Sequence, residues 1–203
     1  MTGPLNFYQN LGGDIMSYYG STNEFDVFDV DYENSLENYI SFGVSMRLDT
    51  KGAKTQVLNP LPGVVYLVVI GLKSTLKSGN RLAPIKQDGS TPCATVIQNT
   101  EMADCVAFRS NRNGTIEVSQ RDTSQLYTNV WFDFVAATKP TEPEIAEFQE
   151  SKRFETNRAV IYARQNVKKG MRLLDSETGR RYLILAVAGT GNHKLLQLQG
   201  DSR

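Results

Sequence analysis

Gly63-Val64-Val65-Tyr66-Leu67-Val68-Val69-Ile70 is the clearest of several β-rich runs between residues 41 and 118. Similar runs of valine, isoleucine and aromatic residues occur at 40–46, 94–97, 105–108 and 115–118. Asp88-Gly89 and Asn113-Gly114 lie between runs, and such pairs are typical of the tight turns that join antiparallel strands. The pattern predicts a compact antiparallel β-barrel or sandwich, and no candidate catalytic residue interrupts it. We therefore expect a scaffold whose role is surface contact.

After residue 137 the sequence changes from β-rich runs to a helix-forming segment, and this change helps to divide the chain into four predicted parts. Thr141-Glu142-Pro143-Glu144 offers a helix N-cap, a proline in the first turn and acids near the positive end of the helix dipole, so one short helix is predicted within 138–150. Strands are then predicted at 158–164, 171–175, 181–188 and 194–198, separated by glycine-containing turns. The predicted parts are an extended acidic and aromatic arm (1–38), a central β domain (39–137), a short helix and linker (138–157) and a basic C-terminal β subdomain (158–203). The fold class is mainly β.

Within the arm, residues 24–33 have an alternating pattern. Phe25 and Val27 share one side of the predicted strand, and Phe28, Val30 and Tyr32 follow after a slip of one residue. A β-bulge would absorb such a slip.

Charge is unevenly distributed, although the whole chain carries 22 basic and 22 acidic residues. Residues 1–46 contain no lysine or arginine and have a net charge of −7, whereas residues 151–203 have a net charge of +7. The arm has little aliphatic content but several aromatic residues, which we expect to lie on another surface rather than in water. The sequence therefore predicts a bipolar molecule.

Length and cysteine content indicate a chain that folds without disulfides or metal ions. With 203 residues it can bury a core of its own. Cys93 and Cys105 form no Cys-x-x-Cys motif, so we expect reduced, partly buried thiols, with one cross-strand disulfide as the alternative. No run approaches the ~20 apolar residues of a membrane span, and no signal-peptide pattern opens the chain. A soluble protein with no membrane partner is expected.

Two patterns resemble binding sites only superficially. Asp26, Asp29, Asp31 and Glu33 could hold a divalent cation, but their alternation with apolar residues favours one solvated strand face. The run Gly189-Thr190-Gly191-Asn192-His193-Lys194 has glycines like a phosphate-binding loop, but Lys194 opens a strand and is not followed by serine or threonine. A β-turn with His193 as a turn residue is the better interpretation.

Neither catalysis nor nucleic-acid binding is expected. There is no Gly-x-Ser-x-Gly motif, and a single histidine would have to serve any serine or cysteine scheme, so we predict no enzyme, cofactor or metal site. The basic C-terminal third could contact phosphates, but it carries no recognised module and only two tyrosines, Tyr162 and Tyr182, with no tryptophan. Basic residues along exposed strands also protect edges from aggregation.

Several short motifs, taken in chain order, resemble the decoration (cement) proteins of tailed-phage capsids. They are Gly13-Asp14-Ile15 in the arm, the acidic strand, Ile40-Ser41-Phe42-Gly43-Val44-Ser45, Pro62-Gly63-Val64 and Asn113-Gly114-Thr115-Ile116-Glu117-Val118, and they cover roughly residues 10–135. The C-terminal region instead resembles small β-barrel head-completion proteins of the phage neck. Its motifs are Val167-Lys168-Lys169-Gly170-Met171-Arg172, Gly179-Arg180-Arg181-Tyr182-Leu183-Ile184 and Leu195-Leu196-Gln197-Leu198.

These resemblances imply a structural virion protein. The leading expectation is a decoration protein that binds the outer surface of an assembled phage head, after synthesis in the host cytoplasm, and clamps neighbouring capsid subunits. The alternative is a head-to-tail connector or stopper subunit. Expected partners are the major capsid protein and neighbouring copies of the chain. The candidate contact residues are Phe7, Tyr8, Tyr18, Tyr19, Phe25, Phe28, Asp29, Asp31 and Glu33 near the arm, and Lys168, Lys169, Arg172, Arg180 and Arg181 in the basic region.

Overall fold

The computed structural model describes residues 23–32, 36–49, 64–71, 76–99, 105–118, 126–135 and 157–201. The arm before residue 23 and the helix predicted within 138–150 lie outside the described residues. The strands of the described part are β1 (Asn23–Asp31), β2 (Leu36–Asp49), β3 (Tyr66–Gly71), β4 (Arg81–Pro84), β5 (Ala94–Gln98), β6 (Cys105–Arg109), β7 (Arg112–Val118), β8 (Leu126–Val135), β9 (Asn157–Tyr162), β10 (Arg172–Asp175), β11 (Arg181–Thr190) and β12 (His193–Asp201). The mainly β fold class is confirmed.

The strands close two antiparallel barrels of six strands each. The first has the order β1-β2-β3-β6-β5-β4, and the second has the order β10-β11-β12-β9-β8-β7. Closure removes most of the free sheet edges that would otherwise invite pairing with other chains. No helix in the described part of the chain has the length and apolar character needed to cross a membrane.

The alternation of side chains along each strand supplies three hydrophobic cores. On β3, Leu67 and Val69 point into the first barrel, whereas Tyr66 and Val68 face the second barrel. On β12, Leu196 and Leu198 point into the second barrel, whereas Leu195 faces the first. Because the side-chain period of a strand is two, the same strands fill the barrel interiors and build a shared core between them. This inter-barrel core comprises Val30, Tyr32, Val64, Tyr66, Val68, Ile97, Val106, Phe108, Trp131, Val135, Val160, Tyr162, Ala188 and Leu195.

The bulge predicted in β1 lies in β2 instead. The register between β1 and β2 shifts between Phe25 and Val27 and again between Val27 and Phe28, and both shifts leave the extra residue on β2. β1 itself pairs with β4 without a shift. Its ordinary alternation points Phe25 and Val27 into the first barrel and Val30 and Tyr32 into the inter-barrel core. On the β2 side the irregularity includes Gly43, whose φ of 63° is one that side-chain-bearing residues rarely adopt.

The barrels divide the chain differently from the predicted parts. β1 lies within the predicted arm (1–38), yet it pairs with β2 and β4 as a barrel strand. β7 and β8 lie within the predicted central domain (39–137), yet they pair with β10 and β9 of the second barrel. The boundary between barrels therefore falls between β6 and β7. Local patterns indicate where strands lie, but only long-range pairing decides which strands share a barrel.

The Asn113-Gly114 turn prediction is wrong, because this pair lies inside β7. Gly114 is needed because the backbones of β7 and β10 approach each other closely there, not because the chain turns. A Cβ atom at Gly114 would fall inside contact distance of the Leu174 carbonyl oxygen on β10 and 3.1 Å from Phe132 Cε1. The Asp88-Gly89 turn lies between β4 and β5 as predicted, with Gly89 at φ 76°. The strands β4 and β8 are absent from the predicted set.

Candidate functional site

The first barrel carries a two-stranded extension, here called the β1–β2 ribbon, which consists of residues 28–31 and 36–42. β4 pairs with β1 only at Phe25–Phe28, and β3 pairs with β2 only from Met46 onward. Within the described strands, residues 29–31 therefore pair only with β2, and residues 36–45 pair only with β1. An edge of this kind leaves backbone donors and acceptors available to a neighbouring protein.

Large apolar side chains on the ribbon are exposed to solvent. The exposed fractions are 58% for Leu36, 52% for Tyr39, 43% for Ile40 and 75% for Phe42. Single exposed apolar residues are common on protein surfaces, but four within seven positions of one strand, on both faces of the ribbon, are a local concentration. Clustered exposed apolar side chains of this kind are typical of protein-binding surfaces.

One face of the ribbon is ordered by aromatic and charged contacts. The rings of Phe28 and Tyr39 meet edge to face with 5.6 Å between centroids. Arg81 lies over the rings of Phe28 and Trp131, at 5.8 and 5.6 Å, and its Nη1 donates to Glu37 Oε1 at 2.9 Å. Cation–π contacts and an ion pair at the same guanidinium tie the ribbon to both barrels.

The other face of the ribbon is acidic. Asp31 lies opposite Leu36, and Asp29 lies opposite Asn38, so these four side chains share a face. Asp29 is exposed and accepts a hydrogen bond of 3.3 Å from Asn80 Nδ2. Leu36 thus presents an exposed apolar side chain directly beside two carboxylates. Among the described residues, no three His, Cys, Asp or Glu side chains come together as metal ligands would.

The second barrel presents basic residues at its surface. Lys168 and Lys169 are exposed on the turn before β10, and Arg180 and Arg181 are exposed at the β10–β11 hairpin. Arg172 is instead engaged within the barrel, where its Nε donates to Asp201 Oδ2 at 2.6 Å. Beside Arg180 and Arg181 lies a shallow, open depression, lined also by Asn157, Gly179, Tyr182, Gly200 and Asp201.

The predicted contact residues are therefore only partly brought together. Phe28, Asp29 and Asp31 lie on the ribbon, and Arg180 and Arg181 lie at the depression. Phe7, Tyr8, Tyr18, Tyr19 and Glu33 lie outside the described residues. Phe25 is fully buried in the core of the first barrel, so its predicted role as an exposed contact is wrong.

The predicted contact set lacks all four exposed apolar residues of the ribbon, Leu36, Tyr39, Ile40 and Phe42. The sequence did contain an indication of this exposure in the run Tyr39-Ile40-Ser41-Phe42. Consecutive apolar residues in a strand cannot all face one barrel interior, so some of them must point elsewhere.

The position predicted for His193 is also wrong. It is the first residue of β12 and is buried between the barrels, because β12 pairs with β9 from His193 onward. Its Nε2 is hydrogen-bonded to the Tyr66 hydroxyl at 2.9 Å, and the two rings meet edge to face. Burial lowers the pKa of His193 to about 4, so the imidazole is neutral at neutral pH. Its contacts join the two barrels.

Further polar contacts cross the same junction. The hydroxyls of Ser78 and Tyr162 are 2.9 Å apart, and Asn192 Nδ2 donates to the Ile97 carbonyl at 2.5 Å. Arg109 of β6 forms an ion pair with Asp133 of β8, whose pKa is nonetheless raised by burial. These groups satisfy one another and connect the two barrels across the junction.

The two described cysteines form no disulfide, which agrees with the expectation of reduced thiols. Cys105 is buried in the first barrel, and burial raises the pKa of the partly exposed Cys93 thiol. A raised pKa keeps the thiol protonated and poorly nucleophilic at neutral pH.

Comparison of the chain with protein-family models, with curated proteins and with solved structures gives no match. The ribbon and the depression therefore have to be interpreted from their own geometry and charge.

Proposed function

We propose that this protein is a non-enzymatic structural subunit of a tailed-phage virion, which binds the outer surface of the assembled head as a decoration protein. The observation that carries the proposal is the β1–β2 ribbon, with its exposed Leu36, Tyr39, Ile40 and Phe42 on an otherwise closed pair of barrels. The virion setting is supported by the sequence resemblance to capsid decoration proteins.

The proposed mechanism is stabilisation by binding. A protein that binds only the assembled shell stabilises it by the free energy of its own binding, and many copies multiply the effect. The two barrels share a buried core, so they act as a rigid body that can bridge neighbouring capsid subunits. The exposed aromatic residues of the ribbon supply the apolar anchors that such contacts require.

A matched pair of substitutions tests the role of the ribbon. Phe42→Ser removes the most exposed apolar side chain of the ribbon, whereas Val65→Ser removes a 42% exposed apolar side chain outside the ribbon. We expect Phe42→Ser to weaken binding to purified shells about tenfold or more, measured by co-sedimentation, and Val65→Ser to bind as the unaltered protein does. Equal binding by both variants and the unaltered protein would contradict the ribbon model.

The predicted arm can be tested separately from the barrel. Removing residues 1–22 leaves β1 intact, whereas a deletion to residue 38 would remove a strand from the first barrel. If the arm supplies contacts to the shell, the shorter deletion should bind more weakly while its far-UV circular dichroism stays unchanged. If the variant lacking residues 1–22 binds shells as strongly as the unaltered protein, the arm contributes nothing and the shell contacts are made by the barrels.

A neck connector is the second candidate, and the closed second barrel favours it. The motifs that resemble head-completion proteins lie between β9 and the end of β12, in β10, β11, β12 and the turns before β10 and β11, and β7 and β8 complete this region as a barrel. Copy number separates the two functions. Quantitative gel analysis of purified virions should give an amount comparable to that of the major capsid protein for a decoration protein. For a ring at one vertex it should give on the order of a dozen copies.

A further inference from the structure

The two barrels carry surface charges of opposite sign. β1 and β2 together contain six acidic residues and one basic residue, a net charge of −5. Residues 157–201 of the second barrel contain eight basic and three acidic residues, a net charge of +5. Opposite net charges on these two segments of one molecule favour contact between copies.

The depression of the second barrel fits the acidic face of the ribbon. Its lining includes Arg180, Arg181 and Tyr182, and the carboxylate of Asp201, which also lines it, is paired with Arg172. Gly179 and Gly200 line it without side chains, and a Cβ atom added at either glycine would meet nothing within 4 Å. The space is therefore open, flanked by guanidinium groups and large enough for an apolar side chain from another molecule.

We propose that copies of this chain associate head to tail, with Leu36 of one copy seated in the depression of the next. In this contact Asp29 and Asp31, which share the face of Leu36, pair with Arg180 and Arg181 of the next copy. Guanidinium groups bind carboxylates with directional hydrogen bonds, and burial of Leu36 adds apolar area. The inference specifies the neighbouring-copy contact and rests on the proposed function only for its setting on a particle.

A two-fold contact between identical ribbons is disfavoured by the same charges. It would bring the acidic faces of two copies together, and like charges in contact cost several kcal/mol. A head-to-tail contact uses two different surfaces, so a chain of copies has an unused ribbon at one end and an unused depression at the other. Such contacts continue until the chain of copies closes as a ring or extends as a filament.

Charge exchange between two variants tests the contact on the purified full-length protein by analytical ultracentrifugation. One variant carries Asp29→Lys and Asp31→Lys, and the other carries Arg180→Glu and Arg181→Glu. The unaltered protein should associate with rising concentration, and more weakly at high salt. Each variant alone should show a dissociation constant raised at least about tenfold, because its ribbon and depression then carry charges of the same sign. An equal mixture of the two should recover association.

Two further variants distinguish a loss of the contact from a loss of folding. The variant with all four substitutions should associate again, since its opposite charges have merely been exchanged. Gly200→Leu should block association without altering the circular dichroism, because it fills the open depression. A monomeric unaltered protein at all concentrations would overturn the proposal. So would unimpaired association of the Arg180→Glu, Arg181→Glu variant, which would indicate ribbon-to-ribbon pairing. Neither outcome depends on whether the protein binds phage heads.

Discussion

His193 joins the two barrels through one buried hydrogen bond, and its environment makes the junction sensitive to acid. The hydrogen bond to Tyr66 and the pKa of about 4 both follow from its position in the inter-barrel junction. The sequence placed this residue in a turn, because Gly191-Asn192 precedes it. Nothing in the local pattern indicates that β12 begins at His193 itself or that the first barrel covers it, so its burial is a property of the tertiary structure alone.

Acidification should therefore destabilise the protein through His193. In the unfolded chain its pKa is about 6.5, so the unfolded state binds the proton more tightly and stability falls as the pH drops from about 6.5 to about 4. The full shift corresponds to about 3 kcal/mol. Urea unfolding at about pH 7 and about pH 4.5 should show a smaller loss of stability for His193→Gln than for the unaltered protein.

Asp133 does not obscure this comparison. Its pKa is raised by burial, so its own contribution to stability increases as the pH falls, opposite in sign to that of His193. Both proteins contain Asp133, and the difference between them isolates the histidine. An identical loss of stability in the two proteins would show that His193 is not the group responsible.

At the scale of elements, the β10–β11 hairpin is held by a buried carboxylate. Asp175 is fully buried, receives a hydrogen bond from Arg112 Nη1 at 2.5 Å, and accepts further hydrogen bonds from the Glu177 backbone and the Thr178 hydroxyl. The guanidinium of Arg112 also lies over the ring of Phe134, 4.8 Å from its centroid. The hairpin that presents Arg180 and Arg181 is therefore fixed from inside the barrel.

Two substitutions near the same arginine should differ in cost. Asp175→Ala removes the buried partner and leaves Arg112 uncompensated, which should lower the free energy of unfolding by about 3 kcal/mol. Glu177→Ala removes a half-exposed carboxylate 3.7 Å from Arg112 and should cost less than about 1 kcal/mol. Urea unfolding measures both values. Equal costs would mean that the buried position of Asp175 contributes nothing beyond a surface ion pair.

Elements were predictable from the sequence where a local pattern determines them. The β-rich runs coincide with strands. The slip between Phe25–Val27 and Phe28–Val30 predicted a bulge at the right place in the sheet but on the wrong strand, because the extra residues lie in β2. β4 was missed because it has only four residues and ends at Pro84. The turn at Asn113-Gly114 was wrong because the same dipeptide also suits a close approach between strands, here between Gly114 and Leu174. A local pattern cannot distinguish these two uses of glycine.

For the whole molecule, the separation of charge was visible in the sequence but the pairing of strands was not. The acidic and basic regions became the surfaces of two different barrels, so the predicted bipolar character remains useful for choosing experiments. The partition into barrels depends on contacts such as that of β7 with β10, which join residues far apart in sequence. The predicted contact set likewise included buried Phe25, because alternation cannot show which side of a strand another element covers.

The shared core makes the two barrels one unfolding unit, and the single tryptophan can report on it. Trp131 is 9% exposed, packs against Tyr32 with 6.4 Å between ring centroids, and belongs to the inter-barrel core. If the barrels unfold together, urea transitions followed by Trp131 fluorescence and by far-UV circular dichroism should coincide. A fluorescence transition at lower urea would mean that the barrels separate first.

A core substitution at the junction sharpens the same test. Val160→Ala, in the inter-barrel core, should lower the unfolding free energy by about 1–3 kcal/mol and shift both transitions together. Ile161→Val is the matched control, because the neighbouring residue points into the second barrel and leaves the junction intact. Both probes should remain coincident in the control as well. If Val160→Ala instead separates the two transitions, the inter-barrel core binds two barrels that are each stable alone, and the rigid-body basis of the proposed bridging of capsid subunits is lost.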